Sequence, residues 1–439
     1  MHIAAKFGGS SLATAEQITK VVEILRSNPD RRYVVASAPG KRHSSDTKVT
    51  DLLYRLYAER EGDFRPTLDL IKQRFADIAT GLGVTVDLDA CCLDIESHLQ
   101  NGAGEDYCAS RGEYLNSLIL AAHLDWPFVD AATAVCFSDD GEFLAEETNT
   151  RLQAALAGLD HAVIPGFYGS TLSGRIKTLS RGGSDVTGAL VARATGAAAY
   201  ENWTDVSGIL MADPRLVTSP PPIERVSYVA LRELTYMGAT VLHEDAITPV
   251  REAGIPINIR NTNNPDHPGT WVESVPEIEP GEVPILGIAG KPGYAAVTVH
   301  KAQWCGTFGI APALLGLFGD AQLIVDLALT GVDTWTMVVP SARLAEKLDD
   351  ILADIDAIFQ PDTVRVQDGL TLLAVVESGA TARGYVTARL ADALTDAGIE
   401  SYADAFTGDL HVLAIASEQY GDAVRAVYDR LVLPALRPE

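Results

Sequence analysis

Short apolar runs alternate with helix-like segments through residues 1 to about 275, and this alternation limits the fold more than any other feature of the chain. "HIAAKF", "RRYVVASAPG", "PFVDAATAV", "HAVIPGFYG", "AAAYENWTDVSG" and "IPINIRNT" read as strands that end in glycine, proline or polar loops. "AEQITKVVEILRS" and "SDVTGALVARATG" fit amphipathic or buried helices between them. Strands alternating with helices imply a mainly parallel sheet covered on both faces, with ligands at the carboxyl ends of its strands. Residues 51 to 125 are nearly strand-free and read as a helical insertion or lid with a role in substrate binding.

Prolines, glycines and acidic residues then cluster in "NNPDHPGTWVESVPEIEPGEVP", as in a linker. Beyond it come strand "AAVTVH", helix "APALLGLFG", strands "AQLIVDLAL" and "TWTMVVP", helix "SARLAEKLDDILADI" and strand "TVRVQ". The order nearly recurs with "LTLLAVV", "TARGYVTARLADALTDAG", "ESYADAF", "LHVLAIA" and "EQYGDAVRAVYDRLV". Two ferredoxin-like βαββαβ units fit, at 285–366 and 367–439. The second lacks a last strand, and "VPILGIA" at 283–289 can supply one by exchange, which would interleave the two.

With 34 Lys+Arg against 59 Asp+Glu, the formal charge of −25 repels phosphate backbones and anionic membranes, so neither nucleic acid nor membrane is an expected partner. The five cysteines, at 91, 92, 108, 136 and 305, form no C-x-x-C and read as reduced thiols. No apolar run has signal or membrane-spanning length, and a cytoplasmic protein is expected. No metal constellation is expected either, because His243, His267 and His300 lack ligand spacing.

Four loops share one logic: small residues and a charge just after an expected strand. Lys6 followed by "GGSS" sets an ammonium beside a backbone flexible enough to aim amides at one anion, or makes an ordinary bend. The lysine precedes its glycines, so this is not the phosphate loop G-x-x-x-x-G-K-[ST]. In "SAPGKR", Ser37 can donate to an anion or cap a turn, and "DTKVTD" extends that loop. "PGFYG" is a third such loop. "LSRGGSDVTGALVA" puts Ser184 or Asp185 near a helix cap and leaves Arg181 for bidentate capture of a carboxylate or phosphate. "NWTDVSGILMADPRLV" can cup a nucleotide, with Arg215 near phosphates, and "SRGEYLNSLILAAHL" starts a helix with Glu113. Together these residues point to phosphoryl transfer between a nucleotide and a small polar acid.

"KFGGSS", "SRGE", "SRGGSD", "WTDVSGILMADPR", "LTYMGATVLHEDA" and "IPINIRNTNNPDHPGT" stand in the order found in aspartate kinases, which the chain resembles over essentially its whole length. The resemblance implies an amino-acid-kinase-like three-layer αβα domain over 1–280, followed by two ferredoxin-like α+β (ACT) regulatory units. It implies transfer from ATP, with Mg²⁺, to the β-carboxylate of L-aspartate, the first step toward lysine, threonine and methionine. By matching motif, Lys6 would stabilise the transferring phosphoryl group, Gly8, Gly9 and Ser10 would cradle it, and Asp185 would organise Lys6. Arg181 would grip the α-carboxylate of aspartate and Glu113 its ammonium, while Ser37, Thr47, Phe167 and Ser184 would line the amino-acid site. Thr204, Asp205, Asp213 and Arg215 would belong to the nucleotide loop.

The resemblance further implies a homodimer or higher homo-oligomer, with lysine or threonine as effectors at the ACT units. No fused dehydrogenase segment is expected after residue 439. The chain departs from the family at Thr240 and Leu210, where many members carry lysine and tyrosine, and at Glu244, where they carry proline. A glutamate or N-acetylglutamate kinase is the nearest rival, disfavoured because an acylated amine gives Glu113 no ammonium to pair. An amino-acid-sensing protein with a weakened kinase site is the rival from another class.

Overall fold

The computed structural model describes residues 1–179, 182–239, 242, 244–274, 283–304, 309–379 and 384–436. Two compact units result, one of residues 1–209, 224–228 and 240–276, the other of 210–223, 229–239 and 277–439.

The first unit is built on a seven-stranded sheet. Its order is Ala162–Pro165, Arg31–Ala36, Ile3–Phe7, Ala199–Thr204, Ile257–Asn261, Thr270–Glu273 and Arg225–Ser227. The first five strands pair in parallel, and Thr270–Glu273 runs antiparallel to Ile257–Asn261. Strand order reverses between Ile3–Phe7 and Ala199–Thr204, so their carboxyl ends open a crevice at the switch point. The run "PFVDAATAV" joins the sheet only through a parallel bridge from Phe128 to Val163, short of the full strand expected of it. Asp130 then caps a short 3₁₀ turn by accepting from Ala132 N, and Cys136–Phe137, just past the run, is extended in a separate three-stranded sheet.

Helix Ala15–Ser27 follows from its sequence. Thr14 Oγ1 accepts from Gln17 N at 3.3 Å, and Ile18, Val21, Val22 and Leu25 form a buried stripe at helical spacing. Residues 49–124 form four helices: Val49–Ala58, Arg65–Leu82, Leu88–Gln100 and Glu105–Leu124. They share a hydrophobic core with the sheet, in which Leu53, Phe75, Ile95 and Ile119 join Phe7, Leu25 and Trp203. The last of these helices is buried on all sides and encloses Arg111, Glu113, Asn116 and Ser117 along with its apolar residues. Buried polar groups on a helix need partners, and these mark where chemistry is concentrated.

In the second unit a six-stranded sheet runs Leu327–Thr330, Thr334–Pro340, Ile285–His300, Thr363–Glu377, Leu410–Ala416, Ser401–Thr407, with antiparallel pairing throughout. "VPILGIA" and "AAVTVH" are one long strand, as are "TVRVQ" and "LTLLAVV", and the two pair along their length. Ile285 to Ala289 lie beside Glu377 to Ala374, so the early segment completes the later repeat. The expected strand "AQLIVDLAL" is extended only over Leu327–Thr330.

Candidate active site

A cavity of about 1010 Å³ opens at the switch point of the first unit, and Lys6, Ser37, Glu113, Phe167, Ser184 and Asp185 line it with Gly9, Ser10 and Asp205. Lys6 stands on the central strand in direct register with Asn202 on its neighbour. Its ammonium lies 2.6 Å from Asp185 Oδ1, and both side chains are largely buried. The amide of Asn202 donates to that same carboxylate oxygen at 2.9 Å, and Tyr200 Oη donates to the Asp185 carbonyl at 3.0 Å. Alternate residues of one strand therefore fix Asp185 at side chain and backbone together.

Asp185 sits in the first turn of helix Gly183–Thr195, whose cap, Gly182, has φ 77°. Helix N-termini favour anions, so this turn presents a positive field to the cavity. Phe167 is held at φ 76°, a conformation that costs a non-glycine residue energy, by Thr187 Oγ1 accepting from its amide at 3.1 Å. Gly166 allows the approach, because a Cβ there would come within 2.6 Å of Ser184 Oγ.

The glycines after Lys6 make tight contacts. Gly8 donates its amide to the Trp203 carbonyl at 2.9 Å, so this amide is not free for a phosphate, and Gly8 does not line the cavity. The Gly9 carbonyl accepts from Gly40 N at 2.8 Å, and a Cβ on Gly40 would sit 2.7 Å from Gly9 C. Trp203 itself is fixed from behind. Its indole donates to Glu201 Oε2 at 2.8 Å, and Arg31 grips both oxygens of that carboxylate at 2.7 and 3.1 Å.

Glu113 is the most perturbed carboxyl group in the cavity. Gly112 lets its helix press against the loop after Arg31–Ala36, where a Cβ would approach Ala38 Cβ to 2.7 Å, and Asn116 donates to the Ser37 carbonyl at 2.7 Å. Burial pushes the Glu113 pKa up to about 8 against the opposing pull of the Ala38 amide, and its Oε2 has no hydrogen-bond partner among the described residues. A buried carboxyl with a vacant oxygen is built to receive a donor, and a cationic donor would ionise it.

Residues 1–261 match the model of the amino acid kinase family. Aspartokinase 3 of Bacillus subtilis is 32% identical over 412 residues, covering 90% of each chain. The chain belongs to the aspartokinase family. The crystal structure of Clostridium acetobutylicum aspartate kinase matches with a TM-score of 0.92 at 38% identity, covering 98% of this chain and 100% of that one. E. coli aspartokinase III in complex with aspartate and ADP shares the fold, with a TM-score of 0.78 at 23% identity.

Against this family pattern, the structure rearranges part of the expected site. Thr47 is exposed and does not line the cavity; Thr50 does. Helix Val49–Ala58 starts two residues after Thr47 and buries Val49, Leu53 and Leu56, which leaves Thr50, Asp51 and Tyr54 toward the cavity. That helical spacing in "KVTDLLYRL" was the available signal. Lys41 and Lys48 also line the cavity and were missed. Thr204 does not line it and instead shares a 3.3 Å hydrogen bond with Asp205. Asp213 and Arg215 belong to the second unit, where Arg215 Nη2 donates to Asp213 Oδ2 at 2.6 Å. Arg181, Thr240 and the Glu244 side chain lie outside the described residues.

Among the described residues no group of three or more His, Cys, Asp or Glu is arranged to hold a metal by itself. The donor set does fit a magnesium ion that arrives on phosphates, because Asp205 presents an exposed carboxylate to the cavity. No helix among the described residues is long and apolar enough to cross a membrane.

Proposed function

We propose that this chain transfers the γ-phosphoryl group of ATP to the β-carboxylate of L-aspartate, giving 4-phospho-L-aspartate. The observation that carries the reading is the joint presence in one cavity of the Lys6–Asp185 pair and the buried carboxyl of Glu113 with its vacant oxygen. The nucleophile has an unperturbed pKa near ~4 and is already ionised at neutral pH, so no general base is required. What remains for the protein is to align two anions and to neutralise charge on the transferring group.

Lys6 carries that charge, and Asp185 holds it in place. Gly9 and Ser10 bring backbone amides to the same point, and the Gly183–Thr195 helix adds its N-terminal field. Glu113 takes the ammonium of aspartate, Arg181 its α-carboxylate, and Ser37, Thr50, Phe167 and Ser184 shape the amino-acid subsite. Mg²⁺, when bound, supplies further charge neutralisation on the phosphates, with Asp205 as its protein carboxylate.

The six-stranded unit is the regulatory part, with lysine or threonine as effector and a second copy of the chain as partner. An E. coli aspartokinase III crystal structure is described as a complex with lysine and aspartate. The enzyme operates in the cytoplasm.

The test is ADP release from Mg·ATP with L-aspartate, L-glutamate or N-acetyl-L-glutamate, with hydroxylamine present to trap any acyl phosphate as the hydroxamate. Hydroxamate with aspartate alone, lost in Lys6→Ala, is the expected result. No turnover with any acceptor, in folded protein, overturns the reading.

A further inference from the structure

The segment "IRNTNNPD" at 259–266 carries part of the family resemblance, yet none of its residues lines the catalytic cavity. It starts at the carboxyl end of strand Ile257–Asn261, where Asn261 stands in register with Thr204. Thr262 bonds to two different segments. Its amide donates to the Thr204 carbonyl at 2.9 Å, and its Oγ1 shares a 2.7 Å hydrogen bond with Ser11 Oγ. Thr262 is 1% exposed and Ser11 2%, and 251 residues separate them in the chain, so local folding of neither segment makes this contact. Ser11 belongs to the 3₁₀ turn Gly9–Leu12, whose Gly9 and Ser10 line the cavity while Ser11 does not. Its amide donates to the Gly8 carbonyl at 3.0 Å, so a hold on Ser11 is a hold on the whole glycine turn.

Asn261 reaches the other loop. Its side-chain oxygen accepts from Asn263 N at 2.9 Å, which orients the amide, and that amide donates to Ser207 Oγ at 2.9 Å. Ser207 lies two residues beyond Asp205, which lines the cavity. The loop is closed behind it by Thr270, whose Oγ1 accepts from Ile209 N at 2.8 Å. Two adjacent residues outside the cavity therefore tie the glycine turn to the Asp205 loop. Packing alone does not call for this chemistry, because valine has the branching of threonine and would leave no hydroxyl to satisfy at a buried position.

We propose that Asn261 and Thr262 are positioning residues, which hold the glycine turn and the Asp205 loop at one spacing so that both act on the same nucleotide polyphosphate. The nucleotide and its magnesium rest on the proposed kinase reading; the tie between the two loops does not. Neither residue touches substrate, and each acts through a group that does. Two loops that share one ligand must keep their spacing to within a fraction of an ångström, which a buried hydroxyl pair and a backbone bond from the same residue supply together.

ADP is the probe, titrated calorimetrically into the full chain with excess Mg²⁺ and again in EDTA. The ratio of the two dissociation constants sets the Asp205 loop, which acts through the metal, against the glycine turn, which does not need it. Thr262→Val should lower this ratio by about fivefold, the loss expected of one neutral hydrogen bond, and Thr262→Ser, which keeps the hydroxyl, should restore it. Ser207→Ala should lower it by a factor of about two to five. Ser11→Ala/Thr262→Val should lower it no further than Thr262→Val alone, since both changes remove the same bond. A native ratio in Thr262→Val, even with a lower melting temperature, overturns the proposal and leaves a purely structural contact. Additive losses in the double variant overturn it as well. If Thr262→Val does not fold, Ser207→Ala decides, and a native ratio there has the same meaning. A lowered ratio in a chain that phosphorylates no acceptor would uphold the positioning role and sink the aspartate kinase reading alone. Absence of ADP binding in the native chain would sink both. Where the native chain turns over, KM for aspartate in Thr262→Val should stay within about twofold of native while KM for ATP rises.

Discussion

Lys6 Nζ stands 2.6 Å from Asp185 Oδ1, with Asn202 donating to the same oxygen at 2.9 Å, so the cation proposed to meet the transferring phosphate is held in place by the protein itself. Pre-organised charge costs no reorganisation in the transition state, which is where such a group has its effect. Lys6→Met should therefore lower kcat by about 10²- to 10³-fold with a smaller change in KM for ATP. Asp185→Asn keeps the shape of the side chain but frees the ammonium, and should fall between Lys6→Met and the native enzyme. Steady-state kinetics on both variants, with thermal melts to confirm folding, checks the order. An Asp185→Asn enzyme with native kcat would remove Asp185 from the mechanism.

On the proposed reading, Glu113 sets the pH dependence of aspartate binding. With a folded pKa of about 8, the group is largely protonated at neutral pH in the empty site, while the ammonium of aspartate pairs with its ionised form. KM for aspartate should fall as pH rises from 6.5 toward 8, approaching tenfold per unit at the acid end, and then level off. Binding at pH 7 should release a proton, seen as a calorimetric enthalpy that varies with the ionisation enthalpy of the buffer. Stability carries the corresponding sign. The folded state binds this proton more tightly than the unfolded chain, so the contribution of Glu113 is most favourable near pH 4.5 and below, and declines as pH rises to about 8. Glu113→Gln should abolish the slope of KM with pH.

Most of this site is legible in the sequence because its residues lie within short motifs that follow strands. Lys6, Ser184 and Asp185 need only their local element in order to be placed, whereas Glu113, expected at the start of a helix, stands in the middle of Glu105–Leu124 because that helix begins eight residues earlier. Thr50 is harder to read, since "DTKVTD" offers two threonines and only the onset of a helix at Val49 decides between them. Gly8 is harder again, because nothing local says that its amide is taken by Trp203, a residue distant in sequence. In the second unit, strand order is readable, but the fusion of two short strands into Ile285–His300 is a matter of long-range pairing with Thr363–Glu377. A 3.6-residue or 2-residue period carries no information about such partners.

Thr50 and Thr47 give a direct contrast. Thr50→Ala should raise KM for aspartate severalfold, as expected for the loss of one polar contact worth about 1 kcal/mol. Thr47→Ala, at an exposed position, should stay within error of the native enzyme. The reverse order would mean that the helix begins elsewhere when substrate is bound.

Lys41 and Lys48 bring two ammonium groups to the cavity wall in a chain whose position 240 is threonine. Point charges near a polyanion act through a field that salt screens. The double variant Lys41→Gln/Lys48→Gln should raise KM for ATP by about tenfold and flatten its dependence on ionic strength, with kcat changed less. An unchanged salt dependence would assign both lysines to bulk solvent.

Arg74 links the helices of residues 49–124 to the loop beside the glycine turn. It is buried on helix Arg65–Leu82, donates through Nη2 to the Gly40 carbonyl at 2.6 Å and to the Ala13 carbonyl at 3.3 Å, and pairs through Nη1 with Asp46. Arg42 binds Asp46 as well and, through that hydrogen bond above all, holds its carboxyl far below the usual range. One planar guanidinium thus joins three backbone segments around Gly9 and Gly40, whose close packing sets the floor of the cavity. Arg74→Ala leaves Asp46 with Arg42 alone and two carbonyls without a donor, a loss of about 3–5 kcal/mol if the site stays dry. Arg74→Lys keeps the charge, but a single ammonium cannot reach three acceptors in one plane, so it should recover only part of the stability. The discriminating measurement is kinetic. If Arg74 positions the loop, Arg74→Lys should raise KM for both substrates at a temperature where the protein is fully folded, whereas a purely structural role would lower the melting temperature and leave both KM values unchanged.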